Sequence, residues 1–242
     1  MRTSRSIVAL IKITNFPDDV LSGDLYCNRI QYYRDSEADE IGDKYEGIQF
    51  RKKIFNTWID VYDPSVLLHP AFCMYSVDAK RNNHPKRIQL PPDERLKTFG
   101  ECAVVITNVK EFITRINNKL PEFKCEAVWY TNMKDLQGVY RDAIFNPLAT
   151  KHQYFSYQKE FRIYSDFWFL GGNLDPKVPY FYYAEEDHKK FPVGDLREIA
   201  QVHPIEDLFT GIDVDLNIDW SYTLKEHFQP IKQWDKEIHK EK

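Results

Sequence analysis

Short apolar runs of strand length, separated by polar and Pro- or Gly-containing stretches, recur along the chain. "IVALIKI" near the start, then "HPAFCMYSV", "ECAVVIT" and "CEAVWYT", are rich in β-branched and aromatic residues and predict buried strands. "PDDVLSGD" predicts a short helical turn closed by Gly23, and "LYCNRIQYY" a strand and turn. "IQFRKKIFNTWIDVY" reads as one or two strands. Only "VKEFITRINNKL" carries a helical stripe, with Val109, Phe112, Ile113 and Ile116 at spacings of 3, 1 and 3.

The remaining segments complete the picture. "RDSEADEIGDKYE" predicts an acidic surface loop or a frayed helix, and "DAKRNNHPKRIQLPPDERLKTF" a basic, Pro-containing excursion without periodicity. "KDLQGVYRDAIFNPLATKHQYF" predicts one or two short helices leading into a strand at "YQKEFRIYSDFWFL". "NLDPKVPYFYYAEED" reads as loop and strand, "LREIAQVHPI" as a late strand and turn, and the segment from about 215 as a charged helical or irregular extension. Strands outnumber helices and their connections are irregular. The expected fold is therefore α+β, a single domain with a mainly antiparallel sheet core and short peripheral helices.

Composition supports a packed core, because aromatics alone make up 15% of the 242 residues. A net charge of −4 offers no global attraction to phosphate backbones, so nucleic acid is not a favoured partner. Cys27, Cys73, Cys102 and Cys125 lie far apart without a CxxC, which opposes a structural zinc site and fits buried thiols in a reducing compartment. The opening apolar run is interrupted by Lys12, lacks a signal-peptide cleavage site, and no stretch approaches the ~20 apolar residues of a membrane span. The protein is expected to be cytoplasmic.

Common catalytic signatures are missing. There is no GxSxG elbow, Walker loop, GxGxxG or HExxH, and the acidic loop lacks EF-hand order, so no metal site is expected. Cys73 in "FCMYS" would need a low pKa and a His partner to act as a nucleophile. What stands out is "YQKEFRIY", where Lys159, Glu160 and Arg162 open an otherwise apolar strand. Charges are costly to bury, so this start either lines a wet cleft or sits at a sheet edge, where Glu160 and Arg162, two apart and on one face, pair locally.

The order of landmarks resembles that of a large, mostly uncharacterised family of bacterial and phage proteins. The matching segments are "LIKIT" at 10 to 14, "VLSGDLYCNRIQYYRDSE" at 20 to 37, "AFCMYS" at 71 to 76, "FGECAVVIT" at 99 to 107 and "YQKEFRIY" at 157 to 164. The family's acidic box is present without its Pro and Phe, as "YYRDSEADEIGDKYEG". That layout in turn is similar to ADP-ribosyltransferase-type folds. The similarity implies NAD as cofactor, Glu160 as the catalytic carboxylate, and Lys12 with Tyr32 or Tyr33 as cofactor-binding residues; since a cation beside the pyrophosphate neutralises its charge, Arg34 and Arg162 join Lys12 as candidates for that contact. It further implies a bacterial defence toxin or phage effector acting on a macromolecular target. The alternative is a non-catalytic module on the same scaffold, binding a nucleotide or a protein.

Overall fold

The computed structural model describes residues 4–79, 86–132, 146–165 and 188–225. The expectations for "NLDPKVPYFYYAEED", for 80–85 of the basic stretch, for most of the helical lead-in before 146, and for the tail beyond 225 lie outside the described residues. In order, the first part of the chain forms β1 (Ser4–Thr14), α1 (Pro17–Leu21), β2 (Asp24–Arg29), α2 (Ile30–Asp35), β3 (Ile48–Ile54), β4 (Thr57–Tyr62), α3 (Pro64–Leu67) and β5 (Pro70–Asp78). The middle contributes β6 (Arg87–Ile88), β7 (Cys102–Ile106), α4 (Val109–Lys119), β8 (Phe123–Ala127), β9 (Trp129–Thr131) and β10 (Thr150–His152). The last part gives β11 (Glu160–Ser165), β12 (His188–Pro192), β13 (Ala200–Pro204), α5 (Ile205–Thr210), β14 (Ile212–Asp213) and β15 (Tyr222–Lys225). The architecture is α+β, as expected. A nine-stranded sheet runs in the order β12-β2-β5-β1-β7-β13, with β11 and β8 branching from β5 and β15 from β1. All its pairings are antiparallel, and among the described strands only the short β9–β10 pair is parallel.

Alternation along the strands sorts the core into two faces. On one face Leu10, Phe72, Met74, Phe161 and Ile163 pack under α4, whose stripe of Val109, Phe112, Ile113 and Ile116 is buried. Burying a side chain such as Phe112 stabilises by about 1.5–3 kcal/mol. Asn108 caps α4 by accepting from the Glu111 amide, and Arg115 pairs with Glu111 one turn on. On the other face Ala9, Ile11, Ile13 and Tyr75 pack against Leu90, Leu96 and Leu208. The basic stretch after 85 is thus anchored rather than loose, because Ile88, Leu90 and Leu96 find this apolar face. Likewise part of the expected C-terminal extension is strand: β15 pairs with β1, and Leu224 is buried.

The feature that shapes the site is a divergence of strands. One edge of β5 pairs with β1 from Tyr75 to Asp78 and with β2 only at Pro70 and Ala71. Among the described residues, 72–74 therefore have no strand partner on that edge, while β11 continues along the other. Helix α1 packs on both β2 and β7, spanning the gap. Its exit depends on Gly23, at φ +83°, where an added Cβ would lie 1.9 Å from the Gly194 carbonyl oxygen. Gly23→Ala is expected to cost roughly 1–3 kcal/mol in thermal unfolding. An unchanged melting temperature would show that the β2 entry is not held as described.

Candidate functional site

The gap opens into a cavity of about 570 Å³, walled by Lys12, Tyr32, Tyr33, Cys73, Lys151 and Glu160 among others. Each side chain arrives for a local reason. Tyr75 is opposite both Glu160 on β11 and Ile11 on β1, so Glu160 leaves the sheet on the Ile11 face and Lys12 on the reverse. Lys12 still reaches the cavity, because the unpaired edge of β5 lets its Nζ donate to the Cys73 carbonyl at 3.0 Å, with the Phe72 ring 4.7 Å away. Burial lowers the Lys12 pKa, with Cys73 and Glu160 pulling it the other way.

Glu160 is 4% exposed and sits in a buried cluster of alternating charge. Its Oε1 accepts from Arg162 Nε at 2.7 Å and its Oε2 from Lys151 Nζ at 3.0 Å. Arg162 Nη1 also donates to Glu46 Oε1 at 2.6 Å and to the Leu148 carbonyl at 2.7 Å. Lys151 Nζ further donates to Gln158 Oε1 at 2.9 Å and lies 3.8 Å from Glu46 Oε2. Two cations thus face two carboxylates, which is the condition for keeping charges out of water. Burial alone would raise the Glu160 pKa, but Arg162 and Lys151 outweigh it and hold the carboxyl at about 2. Glu46 goes the other way, since its burial exceeds what Arg162 and Lys151 recover. Its Oε2 has no hydrogen-bond partner among the described residues.

The backbone around Glu160 is fixed as firmly as its carboxylate. Lys159 adopts φ +39°, uncommon for a non-glycine residue, and its carbonyl accepts from both the amide and the hydroxyl of Ser76, at 2.9 and 2.7 Å. The Glu160 amide in turn donates to the Tyr130 hydroxyl at 2.8 Å. Three charges can therefore open this strand because Lys159 turns away at a left-handed residue, while Glu160 and Arg162 neutralise each other and their neighbours.

Of the residues expected at the site, Lys12, Tyr32, Tyr33 and Glu160 line the cavity together. Tyr33 donates to the Ala71 carbonyl at 3.1 Å and meets the Tyr32 ring edge-on at 5.5 Å, whereas Tyr32 is 42% exposed. Arg162 and Arg34 are not brought to the cavity wall. Arg162 is fully buried, with Nε and Nη1 donating to Glu160, Glu46 and Leu148 and Nη2 ion-paired 2.7 Å from Glu160 Oε1, so it has no surface to offer a cofactor. Arg34 stacks on Tyr62, with 4.1 Å from guanidinium to ring. The acidic loop is not wholly solvated either: Asp43 and Glu46 are buried, Glu46 against Arg162 and Asp43 accepting from the His152 amide at 2.8 Å. Burial and Glu160 push the Cys73 thiol up to about 12, away from the thiolate a nucleophile needs.

Lys151 and Gln158 are the site residues that pattern reading does not single out. Lys151 lies in a three-residue strand and Gln158 in a 3-10 turn, and nothing local distinguishes either from a surface residue. Gln158 spans the cluster, since its Nε2 donates to the Glu40 carbonyl at 2.8 Å while its Oε1 receives Lys151.

The cluster makes stability pH-dependent in a defined direction. The Glu160 pKa is depressed in the fold, so its stabilisation is complete above the unfolded value of about 4.3 and is lost as pH falls toward about 2. Urea midpoints are expected to drop over that window, and less so in Glu160→Gln. Equal acid sensitivity in the two proteins would remove Glu160 from the explanation.

Among the described residues, no group of three or more His, Cys, Asp or Glu side chains is placed to hold a metal ion, and no helix is long and apolar enough to cross a membrane. The chain matches no family model, no curated protein and no solved structure.

Proposed function

We propose that the protein is an NAD-dependent enzyme of the ADP-ribosyltransferase kind, with Glu160 as its catalytic carboxylate. The observation that carries this reading is a carboxylate kept ionised in the wall of a 570 Å³ cavity that it shares with Lys12, Tyr32 and Tyr33. Cleavage of the nicotinamide glycosidic bond builds positive charge on the ribose, and a preorganised anion in a partly dry site stabilises that charge. A carboxyl with a pKa of about 2 is a weak base, so Glu160 acts by charge and by accepting a hydrogen bond from a ribose hydroxyl rather than by removing a proton. Lys12 supplies a point charge for the pyrophosphate, and Tyr32 an exposed ring for a planar group. The volume lies within the range of about 300–1,000 Å³ usual for cofactor sites. The role of defence toxin or phage effector rests on the family resemblance, and the acceptor would be a macromolecule.

A second reading, a non-catalytic nucleotide-binding module, is favoured by one observation: both Glu160 oxygens already accept from protein cations. NAD binding followed calorimetrically, together with nicotinamide release followed chromatographically, separates the two. Binding with release supports the enzyme, binding without release the module, and absence of binding overturns both. Lys12→Met is expected to weaken NAD binding roughly ten- to a hundredfold through loss of one charge-assisted contact. An unchanged Kd would remove Lys12 from the site.

A further inference from the structure

The β3–β4 hairpin takes no part in lining the cavity and stands apart from the nine-stranded sheet as a two-stranded ribbon of its own. Its base is tied down, with Ile48 buried among Tyr45, Tyr62 and Trp129 and the Tyr62 hydroxyl donating to the Lys44 carbonyl at 2.8 Å. Its tip is a two-residue turn, Phe55 and Asn56, between the paired Ile54 and Thr57. We infer that this tip is a contact site for an anionic lipid surface, into which Phe55 and Ile54 insert while the cations behind them meet the headgroups.

Two costs coincide at Phe55. It is 96% exposed, and it adopts φ +53°, the left-handed region that a turn of this length usually gives to Gly or Asn. Stability alone would favour Asn or Gly at this position, so the ring serves a contact outside the folded chain. Alternation supplies the rest of the surface: Ile54 and Ile59 are exposed on one face of the ribbon, and Arg51, Lys53, Trp58 and Asp60 share the other. From Ile48 to Ile54 the strand spans roughly 20 Å at about 3.3 Å per residue, which puts Lys53 and Arg51 roughly 3 and 10 Å behind Ile54. An apolar tip followed by cations and a Trp matches the about 5–10 Å to which interfacial segments bury their apolar parts.

Charge and ring occupancy choose the partner. The sequence of the ribbon, 48–62, carries Arg51, Lys52 and Lys53 against Asp60 alone, in a chain of net charge −4, so it is the ribbon rather than the whole molecule that is drawn to anions. Nucleic acid is less well served. Arg51 is paired with Asp60 at 2.9 Å, and the Trp58 ring carries the Arg51 guanidinium at 4.9 Å and the Lys53 ammonium at 5.9 Å. That leaves Phe55 as the one fully exposed ring among the described side chains of the ribbon, where stacking on successive bases needs several. Ile54 and Ile59 have no stacking face, whereas acyl chains accept aliphatic and aromatic groups alike. Such a contact lies on the bilayer and needs no helix that crosses it.

The test mixes the full chain with sedimentable vesicles of phosphatidylcholine, with and without about a third phosphatidylserine, and measures the bound fraction against lipid concentration. Binding to the anionic vesicles is expected to be about tenfold or more tighter than to phosphatidylcholine alone, and to weaken as salt is raised. Phe55→Asn, which suits the left-handed turn, is expected to keep the melting temperature and to weaken binding about ten- to a hundredfold, the factor for one aromatic side chain leaving an apolar medium. Lys53→Glu, at an exposed position, is expected to cut the preference for phosphatidylserine about tenfold or more. No binding to either composition, equal binding to both, or equal binding by Phe55→Asn would each overturn the inference. So would capture of a single-stranded oligonucleotide, or self-association with rising protein concentration, that Phe55→Asn removes while vesicles go unbound. Neither substituted residue lines the cavity, so these outcomes are independent of whether NAD binds there or is cleaved.

Discussion

Replacing Arg162 by Met is expected to destabilise the fold by about 3–5 kcal/mol, the usual cost of removing one partner from a buried ion pair. Arg162 is fully buried and holds Glu160, Glu46 and the Leu148 carbonyl at 2.7, 2.6 and 2.7 Å. The methionine fills similar volume, so the cavity contribution is small and the loss is electrostatic. Two carboxylates would then face Lys151 alone, and the Glu46 Oε1 would lose its donor. The double variant Arg162→Met/Glu46→Gln restores the balance of one carboxylate to one ammonium and is expected to recover part of the stability. Recovery should be favoured because burial already disfavours ionised Glu46. Urea unfolding of the three proteins measures this. A single-variant loss below about 1 kcal/mol, the scale of a surface pair, would mean that the cluster does not hold the β11 segment in place.

Glu160→Gln is expected to lower the rate of nicotinamide release by about 10²–10³-fold, the effect of removing one preorganised electrostatic contact to a transition state. NAD affinity should change only a few-fold, because the charge matters most when the ribose becomes cationic. The substitution also weakens the cluster, so the comparison belongs at a temperature well below both unfolding transitions. The pH profile carries separate information. With a pKa of about 2, Glu160 stays ionised across the range in which the protein is folded, so the rate should show no titration attributable to it between roughly pH 5 and 8. An unchanged rate in the Gln variant would end the catalytic reading of this carboxylate. A rate that rises with a midpoint near neutrality and is abolished in the variant would instead make Glu160 a proton acceptor and contradict the electrostatics of its surroundings.

Much of the fold was legible because its strongest signals are local. β1, β5 and β7 are continuous apolar runs, and α4 has a stripe whose period only a helix satisfies. The segment after Arg29 illustrates the limit. It was expected to turn and instead forms α2, with Ile30 buried beside Val66, Ala71 and Tyr164, partners from later in the chain. The acidic loop shows the same limit in electrostatic form. A row of carboxylates looks solvated until Arg162, 116 positions away, claims Glu46.

The amino-acid order by itself determined that Glu160 and Arg162 share a strand face and that Lys12 interrupts the opening strand, both from side-chain alternation and apolar period, and it pointed to a mainly antiparallel sheet from the excess of strands over helices and their irregular connections. Only the tertiary structure decided that Lys12 and Glu160, issuing from opposite faces, line one cavity, because that depends on β1 and β2 parting along β5. It also decided that Arg162 is a buried counter-ion and that Lys151 joins Glu160. Desolvated charges must find neighbours of opposite sign, and which neighbours are within reach is set by chain path rather than by position in the sequence.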